Sequence, residues 1–407
     1  MLSSNRLKIG FRVGEFPKLS ETFVLDQINF MIDQGHDVRV LAQRREDVVL
    51  DSTLDAYAAA LERTTFIEPQ RGLPALAYNR LPYRLRVAHA ARSDAKLCSG
   101  TDVVICNFGW FGSDVVRHRT SKENNAKVIT IFHGADLSRD VRDERENVYD
   151  QLLREGDLHL PINSNWFEWL EAHGAPPEKL ALHHLGVDPD DFPYSARRDK
   201  PDTQPFVFTN VCRMVEKKGL AFALKGLAEL RRLEPNRKFH FRMAGDGPLL
   251  EELQQLTRTL DLSDVVTFLG RIPHSAINQE LSDADAFLAP SVVAKDGDME
   301  GIPIAIMEAM AVGLPVVSTF HSGIPELITH NVNGRLCREH DVNGLAELMR
   351  EVMTEPELTR QYALEARRTI ESKFNSRVSN ARLESFVQAI AHGEAILPQN
   401  PSMRQAG

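Results

Sequence analysis

Residues Glu300–Glu326 read EGIPIAIMEAMAVGLPVVSTFHSGIPE, and this stretch decides the fold more than any other part of the chain. A polar loop ends at Glu300, after which Ile304–Ala311 predicts a short apolar helix. Pro315–Thr319 predicts a β-strand, and a second polar loop then opens another helix at Ile324. Helices that alternate with buried strands are typical of an α/β fold.

Glu308 is the single charged residue of that apolar helix. Its neighbours leave almost no polar face, so we expect a buried, hydrogen-bonded carboxylate; a surface position on an amphipathic helix is the alternative. Glu300 lies eight residues earlier, or ~12 Å along a helix. This exceeds the ~5–9.5 Å between glycosidase carboxyls. Two carboxylates around a helix start suit a ligand with a central anion, such as a nucleoside diphosphate sugar.

The motifs resemble those of a known family. E-x7-E before a helix, followed by a small-Gly-x-Pro-Val-[IV]-[SA] strand and a Gly-x-x-Glu turn, is similar to the retaining nucleotide-sugar glycosyltransferases of family 4. The resemblance implies an α/β fold of the GT-B type, with two Rossmann-like doubly wound domains facing a cleft and a C-terminal helix crossing back to the N-terminal domain. It implies that Glu308 holds the donor ribose and Glu300 contacts the donor sugar. The helix start at Gly301, Ile302 and Pro303 would lie at the diphosphate.

The loop Arg213–Gly219, reading RMVEKKG, follows the predicted strand Phe206–Cys212. The N-terminus of a helix carries a partial positive charge from the helix dipole, and the cations of this loop add to it. We therefore expect an anion to bind there. By the resemblance, Arg213 and Lys218 hold the donor diphosphate. Lys217 is expected to be exposed.

Other turns of the second half also follow strand ends, so all of them are expected to rim one crevice. The GDGP turn that starts at Gly245 is either a simple turn or a nucleotide-binding one, and both interpretations stay open. The turn at residues 270–271 resembles the base-binding turn of the family. The predicted donor-binding residues here are Gly245, Gly270, Arg271 and Ser291.

The chain opens with a βαβ pattern that places residues 14–22 at the carboxyl end of the first strand, where doubly wound sheets bind ligands. Residues 16–23, reading FPKLSETF, resemble the bacterial exopolysaccharide glycosyltransferases of the colanic acid and amylovoran type, and depart from the Gly-Gly loop common elsewhere in the family. A plain helix N-cap at residues 20–22 is the alternative. The predicted acceptor- or sugar-binding residues are Gly14, Ser20, Glu21 and Thr22.

Two later strands of the first half also end in candidate loops. Asp102–Asn107 leads into the apolar, glycine-flanked loop Phe108–Gly112, and the strand before His133 leads into the sequence HGAD. A lone histidine is usually structural, but the resemblance puts this one beside the donor sugar and the acceptor. Asp136, and Ser164 in the cap of the helix that follows the next strand, complete the predicted acceptor site.

Composition excludes several classes of protein. A net charge of -9 argues against a general nucleic-acid binder. Four widely spaced cysteines without a C-x-x-C motif favour a reduced, cytoplasmic protein. The polar N-terminus does not resemble a signal peptide, and no uncharged apolar run approaches the length of a membrane span. No histidine cluster indicates a metal site, and a metal-independent protein is expected.

Residues 73–95 form a basic stretch in which Arg80, Arg84, Arg86 and Arg92 alternate with apolar side chains. Such a stretch can lie on an anionic membrane, where lipid-linked acceptors reside. A solvated helix face is the alternative, and it is the commoner origin of such a pattern.

These patterns predict an acceptor-binding domain at residues 1–190, joined by a final helix at 375–395, and a donor-binding domain at 205–374. The expected reaction moves a hexose, with galactose as first choice, from a UDP-sugar to a polyprenyl-diphosphate-linked oligosaccharide, with retention and without a metal or other cofactor. The predicted catalytic residues are Glu300, His133, Arg213 and Lys218. A UDP-sugar epimerase, a sugar-phosphate synthase with a soluble acceptor and a silent sugar-nucleotide-binding subunit remain as alternatives.

Overall fold

The computed structural model describes residues 6–18, 21–46, 54–69, 72–119, 126–139, 141, 148–196 and 204–396. The chain divides into two compact units, one holding the residues up to His184 together with those from Ser376 onward, the other running from Leu185 to Asn375. The second unit begins before the proline-rich stretch 189–205. The reason is local packing, since Val187 and Phe192 belong to an apolar cluster of the second unit.

The first unit is built on a six-stranded parallel sheet in the order β3-β2-β1-β4-β5-β6. Its central strands are near-continuous buried apolar runs, as a parallel sheet covered on both faces requires. The strands are β1 (Lys8–Glu15), β2 (Asp37–Arg44), β3 (Thr64–Phe66), β4 (Val103–Asn107), β5 (Lys127–Phe132) and β6 (Leu158–Pro161). The helices that precede residue 185 are α1 (Thr22–Asp33), α2 (Leu54–Glu62), α3 (Gly72–Arg80), α4 (Tyr83–Ser99), α5 (Gly109–His118), α6 (Asp150–Glu155) and α7 (Ser164–Ala172).

The second unit repeats this architecture with the parallel order β12-β11-β10-β7-β8-β9. Its strands are β7 (Phe206–Val211), β8 (Phe239–Ala244), β9 (Val266–Gly270), β10 (Ala286–Ala289), β11 (Val316–Thr319) and β12 (Arg335–Cys337). Its helices are α8 (Leu220–Leu233), α9 (Leu250–Thr259), α10 (His274–Ser282), α11 (Ile304–Ala311), α12 (Ile324–Leu327), α13 (Val342–Thr354) and α14 (Pro356–Lys373). Helix α11 has the bounds that its apolar run predicts.

Helix α11 is apolar nearly all round because it is buried nearly all round. An apolar cluster that includes Phe287 of β10 and Ile370 of α14 encloses Ile306 and Met310 of this helix. A separate cluster around Phe208 and Leu224 joins the sheet of the second unit to α8 and α13. Both clusters together bury the strands from two sides, which is the layering of a doubly wound sheet.

The final helix, α15 (Ser376–His392), returns to the first unit. It packs against α1, β4 and β5 there, and Ser379 Oγ donates to the carbonyl of His184 at 2.5 Å. The prediction that the last helix crosses back to the N-terminal domain is confirmed.

Strand order reverses once in each sheet, between β1 and β4 in the first unit and between β7 and β10 in the second. Ligands of doubly wound sheets bind outside the carboxyl ends of the strands at such a reversal. The loops after these four strands are therefore where a functional site is expected in each unit.

Candidate active site

In the second unit the strand reversal brings together Lys218 and Glu300. Lys218 ends the 3-10 turn Glu216–Lys218 after β7, and Glu300 lies in the long loop between β10 and α11. Lys218 Nζ stands 2.8 Å from Glu300 Oε1, with both side chains largely buried. An ammonium carries three donors, so this ion pair leaves Lys218 able to bind an additional anion such as a phosphate.

Lys218 and Glu300 each shift the pKa of the other toward the charged form. Burial alone would raise the pKa of Glu300, but the positive charges of Lys218 and Lys217 lower that pKa to about 2. Burial acts to lower the pKa of Lys218, and the nearby Glu300 carboxylate more than offsets this and raises it. Both groups are therefore charged at neutral pH, so Glu300 is a carboxylate that orients or stabilises, and not a proton donor.

The depressed pKa of Glu300 predicts a specific acid sensitivity. Because the pKa is about 2 in the folded protein and 4.5 ordinarily, the stability that this carboxylate contributes is complete above its ordinary value and is lost as the pH falls toward the folded value. We expect the free energy of unfolding to fall more steeply below about pH 4.5 in the wild type than in Glu300→Gln. Unfolding curves measured across this range check it, and parallel pH profiles would contradict the assignment.

The backbone of Glu300 is held by the loop after β11. Glu300 N–H donates to His321 Nε2 at 3.1 Å, and Ser322 Oγ donates to the Glu300 carbonyl at 2.6 Å. Because Nε2 accepts, Nδ1 carries the proton of a neutral His321 and donates to Glu339 Oε1 at 2.7 Å. His321 is fully buried, so it positions Glu300 without reaching a ligand.

Replacing His321 is expected to lower turnover through a displaced Glu300. We expect His321→Ala to reduce kcat about 100-fold, because displacing a catalytic group by an ångström has an effect of that order. The nucleotide alone should bind as before. The matched control is His330→Ala, since His330 Nδ1 also accepts a backbone N–H, from Leu336 at 3.0 Å, without touching Glu300. Equal losses in the two variants would show a general effect on folding.

The prediction that Lys217 is exposed is wrong. Lys217 is only 9% exposed, and its Nζ lies 3.1 Å from Asp298 Oδ1 and donates to the Met299 carbonyl at 3.2 Å. The chain turns inward here at Gly219, whose φ of +65° is left-handed; a Cβ at this position would lie 1.7 Å from the Pro290 carbonyl oxygen. This close approach locks the turn after β7 onto the loop that carries Glu300.

Arg213 and Glu308 lie in contrasting surroundings. Arg213 is exposed, and its guanidinium has no hydrogen bond or ion pair within the part of the chain that the structure describes. Glu308 is buried on α11, which confirms the expectation drawn from its apolar neighbours.

A small pocket lies beside the Lys218–Glu300 pair; its lining includes Lys218, Ser291 and Pro303. Ile302 and Pro303, at the start of α11, are buried, and Gly301 is half-buried.

Two predicted donor turns are joined directly, since Gly245 N–H donates to the Gly270 carbonyl at 2.7 Å. Gly245 has a φ of +131°, and a Cβ there would stand 1.8 Å from the Cys212 carbonyl oxygen, so only glycine fits. The neighbouring Arg271 is exposed. These turns therefore form one connected rim after β7, β8 and β9.

In the first unit, His133 lies at the carboxyl end of β5. Its Nε2 lies 2.9 Å from Asn107 Oδ1, and Asn107 Nδ2 donates to Gln27 Oε1 at 3.1 Å. This orientation of Asn107 places the imidazole proton on Nε2 and leaves Nδ1 as an acceptor, which has no partner among the described residues. Burial lowers the pKa of His133 to about 3, so the ring is neutral at physiological pH.

Asp136 holds the backbone around His133 in place. Its carboxylate is fully buried and accepts the backbone N–H groups of Gly109, His133 and Gly134 at 2.8–3.0 Å. Burial raises the pKa of Asp136 to about 6, although those N–H groups oppose the shift. Asp136 thus shapes the site by joining the loops after β4 and β5.

The remaining predicted residues of the first unit are more peripheral. Gly14 is half-buried at the end of β1, and Glu21 and Thr22 are half-buried at the start of α1. Glu21 holds the N-cap position without a capping hydrogen bond and pairs with Lys18 at 2.6 Å. Ser20 lies outside the described residues. Ser164 begins α7, and Asn163 caps this helix by accepting the Trp166 N–H at 2.9 Å.

Both halves of the chain match models of known protein families. Residues 20–191 match the model for Glycosyltransferase Family 4, and residues 193–369 match that for glycosyl transferases group 1. WcaL of Escherichia coli K12, provisionally named as a colanic acid biosynthesis glycosyltransferase, is 37% identical over 415 residues, which cover 94% of this chain and 100% of WcaL. The chain belongs to glycosyltransferase family 4. The predicted family is thereby confirmed.

Two other comparisons describe this glycosyltransferase further. The amylovoran biosynthesis glycosyltransferase AmsK of Erwinia amylovora is 35% identical, over 95% of this chain and 100% of AmsK. The crystal structure of HepE from Anabaena, in complex with UDP and glucose, superposes with a TM-score of 0.73 at 18% identity, covering 94% of this chain and 100% of HepE. The predicted GT-B fold is confirmed. No helix in the described ranges is long and apolar enough to cross a membrane.

Sequence reasoning missed several residues that support the site of this glycosyltransferase. Asn107 and Gln27 orient His133, while His321 and Glu339 position Glu300. Two signals were available, because Asn107 is a polar residue at the carboxyl end of a buried strand and His321 follows another. Gln27 and Glu339 carry no such local signal.

Proposed function

We propose that this protein transfers a hexose from a UDP-sugar to an oligosaccharide carried on polyprenyl diphosphate, with retention of the α configuration and without a metal ion. The observation that carries this proposal is the buried Lys218–Glu300 pair at the strand reversal of the second unit, beside Arg213, which is exposed and has no ion pair among the described residues. Lys218 and Arg213 supply positive charges that can bind a diphosphate, and Glu300 supplies a carboxylate that can accept hydrogen bonds from sugar hydroxyls. The similarity to WcaL and AmsK supports a role in exopolysaccharide biosynthesis.

The proposed donor is a UDP-hexose, with galactose as first choice. Support comes from HepE, which shares the fold and has been crystallised with UDP and glucose and with UDP-glucose. In this chain, buried Glu308 would hold the ribose hydroxyls, and the joined turns at Gly245 and Gly270–Arg271 would meet the base.

The chemistry requires stabilisation of the charge that builds on the departing diphosphate. Arg213 and Lys218 would supply two positive charges, and the N-terminus of α11, which begins at Ile304 directly after Pro303, would supply backbone N–H groups and the positive end of the helix dipole. Preorganised charges of this kind are often the largest single contribution to catalysis. They also do the task that a metal ion performs elsewhere, which is why we propose a metal-independent reaction.

The acceptor proton would pass to the departing phosphate oxygen on the same face of the sugar. Glu300 stays ionised with a pKa of about 2, so its proposed role is to orient the donor hexose and stabilise positive charge at the reacting carbon. His133 stays neutral, and its role is to accept a hydroxyl hydrogen bond through Nδ1. Neither residue is proposed as a covalent nucleophile.

A thermal-shift panel of UDP-, GDP-, ADP- and dTDP-linked hexoses tests the donor. A ligand that binds only the folded state stabilises it by mass action. We expect UDP and one UDP-hexose to raise the melting temperature equally with and without EDTA. Stabilisation by another nucleotide alone, or only with magnesium, would contradict the proposal.

The proposed acceptor is bound to lipid, and a surface on α3 and α4 suits contact with the cytoplasmic face of an anionic membrane. Large apolar side chains stand exposed there: Leu76 57%, Leu81 38%, Tyr83 73%, Leu85 54% and Val87 42%. The exposed Arg80, Arg84 and Arg92 lie among them, and no acidic residue occurs between Glu68 and Asp94 although the whole chain carries a charge of -9. Apolar insertion combined with basic charge is the chemistry that holds a protein on anionic lipid. We name residues 76–92 the basic apolar surface.

Variants of the basic apolar surface test this contact by vesicle sedimentation. We expect the protein to bind phosphatidylglycerol vesicles, and Arg84→Glu combined with Leu85→Ser to weaken binding about 10-fold or more, since each basic residue near an anionic surface contributes about 1 kcal/mol. Val378→Ser is the matched control, because Val378 is 60% exposed on α15, outside the basic apolar surface. Binding that is equal for both variants, or equal for phosphatidylcholine vesicles, would contradict the proposal.

A further inference from the structure

Five rings form a row across the carboxyl edge of the first sheet. In order they are Phe23, His133, Phe108, Trp110 and Phe111, with successive ring centroids 4.7, 4.6, 4.8 and 6.0 Å apart. The row starts on α1, passes the ends of β5 and β4, and reaches β1, where a Cβ on Gly14 would stand 3.3 Å from the Phe111 ring. It therefore spans the strand reversal between β1 and β4, where a ligand is expected.

The two ends of the row differ in exposure. Phe23 and His133 are buried, whereas Phe108, Trp110 and Phe111 are half-buried. Phe108 and Trp110 stack almost parallel, with 4° between their planes. The Trp110 indole N–H has no hydrogen-bond partner within the described part of the chain. An aromatic face and an unused donor are thus available to a ligand.

The row is held in place at an energetic cost. Phe108 has a φ of +85°, which is strained for a residue with a side chain, and such strain is found preferentially at functional sites. Gly109 follows, and a Cβ there would lie 2.6 Å from the rings of Phe132 and Tyr149. Asp136 accepts the Gly109 N–H at 2.9 Å. The chain therefore has little freedom to place these rings elsewhere.

The buried end of the row holds a second unused group. His133 Nδ1 is buried and has no partner among the described residues, while its ring contacts Phe108. Phe108 lies between this nitrogen and Trp110 in the row, so the open face of Trp110 binds a ligand separately from His133. The open face of Trp110, with the indole N–H at its edge, matches a pyranose ring, which has an apolar face of C–H groups attracted by π-electrons and a rim of hydroxyls.

We propose that Trp110, backed by Phe108, forms a subsite for the pyranose ring of the acceptor's terminal sugar, with the indole N–H of Trp110 available to a hydroxyl of the acceptor. The identity of the sugar as an acceptor rests on the proposed transfer function; the carbohydrate subsite itself does not. The sugar ring stacks on the exposed face of Trp110, and the row of rings behind it keeps that face rigid.

Two readouts test the subsite. In the first, methyl galactosides, glucosides and glucuronides are titrated against the full chain while tryptophan emission is followed. We expect a saturable change with at least one glycoside in the wild type and in Trp169→Phe, and none in Trp110→Phe. Trp169 is the matched control, because it is also half-buried and stacks on a ring, that of His173, outside the row.

The second readout is kinetic, with glycolipids extracted from cells that lack this protein as acceptors. We expect Trp110→Ala to raise the KM for the acceptor about 10-fold, as the loss of an aromatic stacking contact implies. The KM for the donor should stay unchanged, and Trp110→Phe should restore most of the acceptor binding. A merely structural role would not separate the two KM values.

The outcomes distinguish the two claims. Transfer with an unchanged acceptor KM in Trp110→Ala overturns the subsite and leaves the transferase function standing. A saturable Trp110-dependent emission change in a protein that transfers nothing supports a carbohydrate subsite and overturns the function. Emission that no glycoside changes in the wild type, or changes that persist in Trp110→Phe, overturn the subsite.

Discussion

Lys218→Met is expected to abolish transfer and to destabilise the second unit by about 3–5 kcal/mol, the usual consequence of leaving a buried charge unpaired. In the native protein Lys218 Nζ lies 2.8 Å from Glu300 Oε1, and both groups are largely buried. Without the ammonium, the Glu300 carboxylate loses the larger of the two lysine charges that keep its pKa low. Chemical unfolding of the variant measures the stability, and release of UDP measures the activity.

A double-mutant cycle separates the two effects. Glu300→Gln should destabilise the protein to a similar degree, whereas the combination with Lys218→Met should recover most of the stability, because two neutral groups replace a buried ion pair. All three variants should remain inactive. Arg242→Met is the matched control, since it breaks the 2.9 Å pair with Glu280 in the same unit without touching the proposed donor site. Additive destabilisation, or an active double variant, would contradict the central role of the pair.

Arg213→Ala is expected to lower kcat about 10²–10³-fold with every UDP-sugar, the magnitude seen when one preorganised charge or donor is removed from a developing anion. Its stability should stay within about 0.5 kcal/mol of the wild type, as for most exposed substitutions. The reason is that Arg213 is exposed and unpaired in the described part of the chain. Steady-state kinetics with several donors, together with thermal melting, measure both.

The matched control for Arg213 is Arg232→Ala, another exposed arginine of the second unit, which pairs with Glu229 on α8. That variant should keep full activity. A loss in Arg213→Ala that is confined to one sugar would place Arg213 at the hexose instead of the diphosphate. Unchanged kcat with all donors would remove it from the catalytic group.

Prediction from sequence succeeded where the physical signal was local. The apolar run of α11 defined both its own bounds and the burial of Glu308, because a helix that is apolar nearly all round has to be buried. The same holds for β4 and β10, one strand of each sheet, whose apolar runs predict burial on two faces. Because the strands are parallel, the position of the loops at their carboxyl ends then follows from the sheet topology.

Prediction failed where a contact joins distant residues or depends on the direction of a side chain. Lys217 and Lys218 are neighbours in sequence, yet Lys217 reaches Asp298 and Lys218 reaches Glu300 because the left-handed Gly219 turns the chain against Pro290. The row of rings could not be predicted for the same reason. The loop at residues 108–112 reads simply as apolar, and only the fold brings its rings beside His133 and Phe23.

One measurement tests the central claim most directly. UDP-galactose, UDP-glucose and UDP-glucuronic acid are each incubated with the protein and with glycolipids from cells that lack it, with and without EDTA, and the anomeric configuration of any product is determined by NMR. The account predicts UDP release that depends on the acceptor and not on EDTA, with one donor favoured and an α-linked product. Release of UDP without an acceptor, a β-linked product, or activity abolished by EDTA would contradict it.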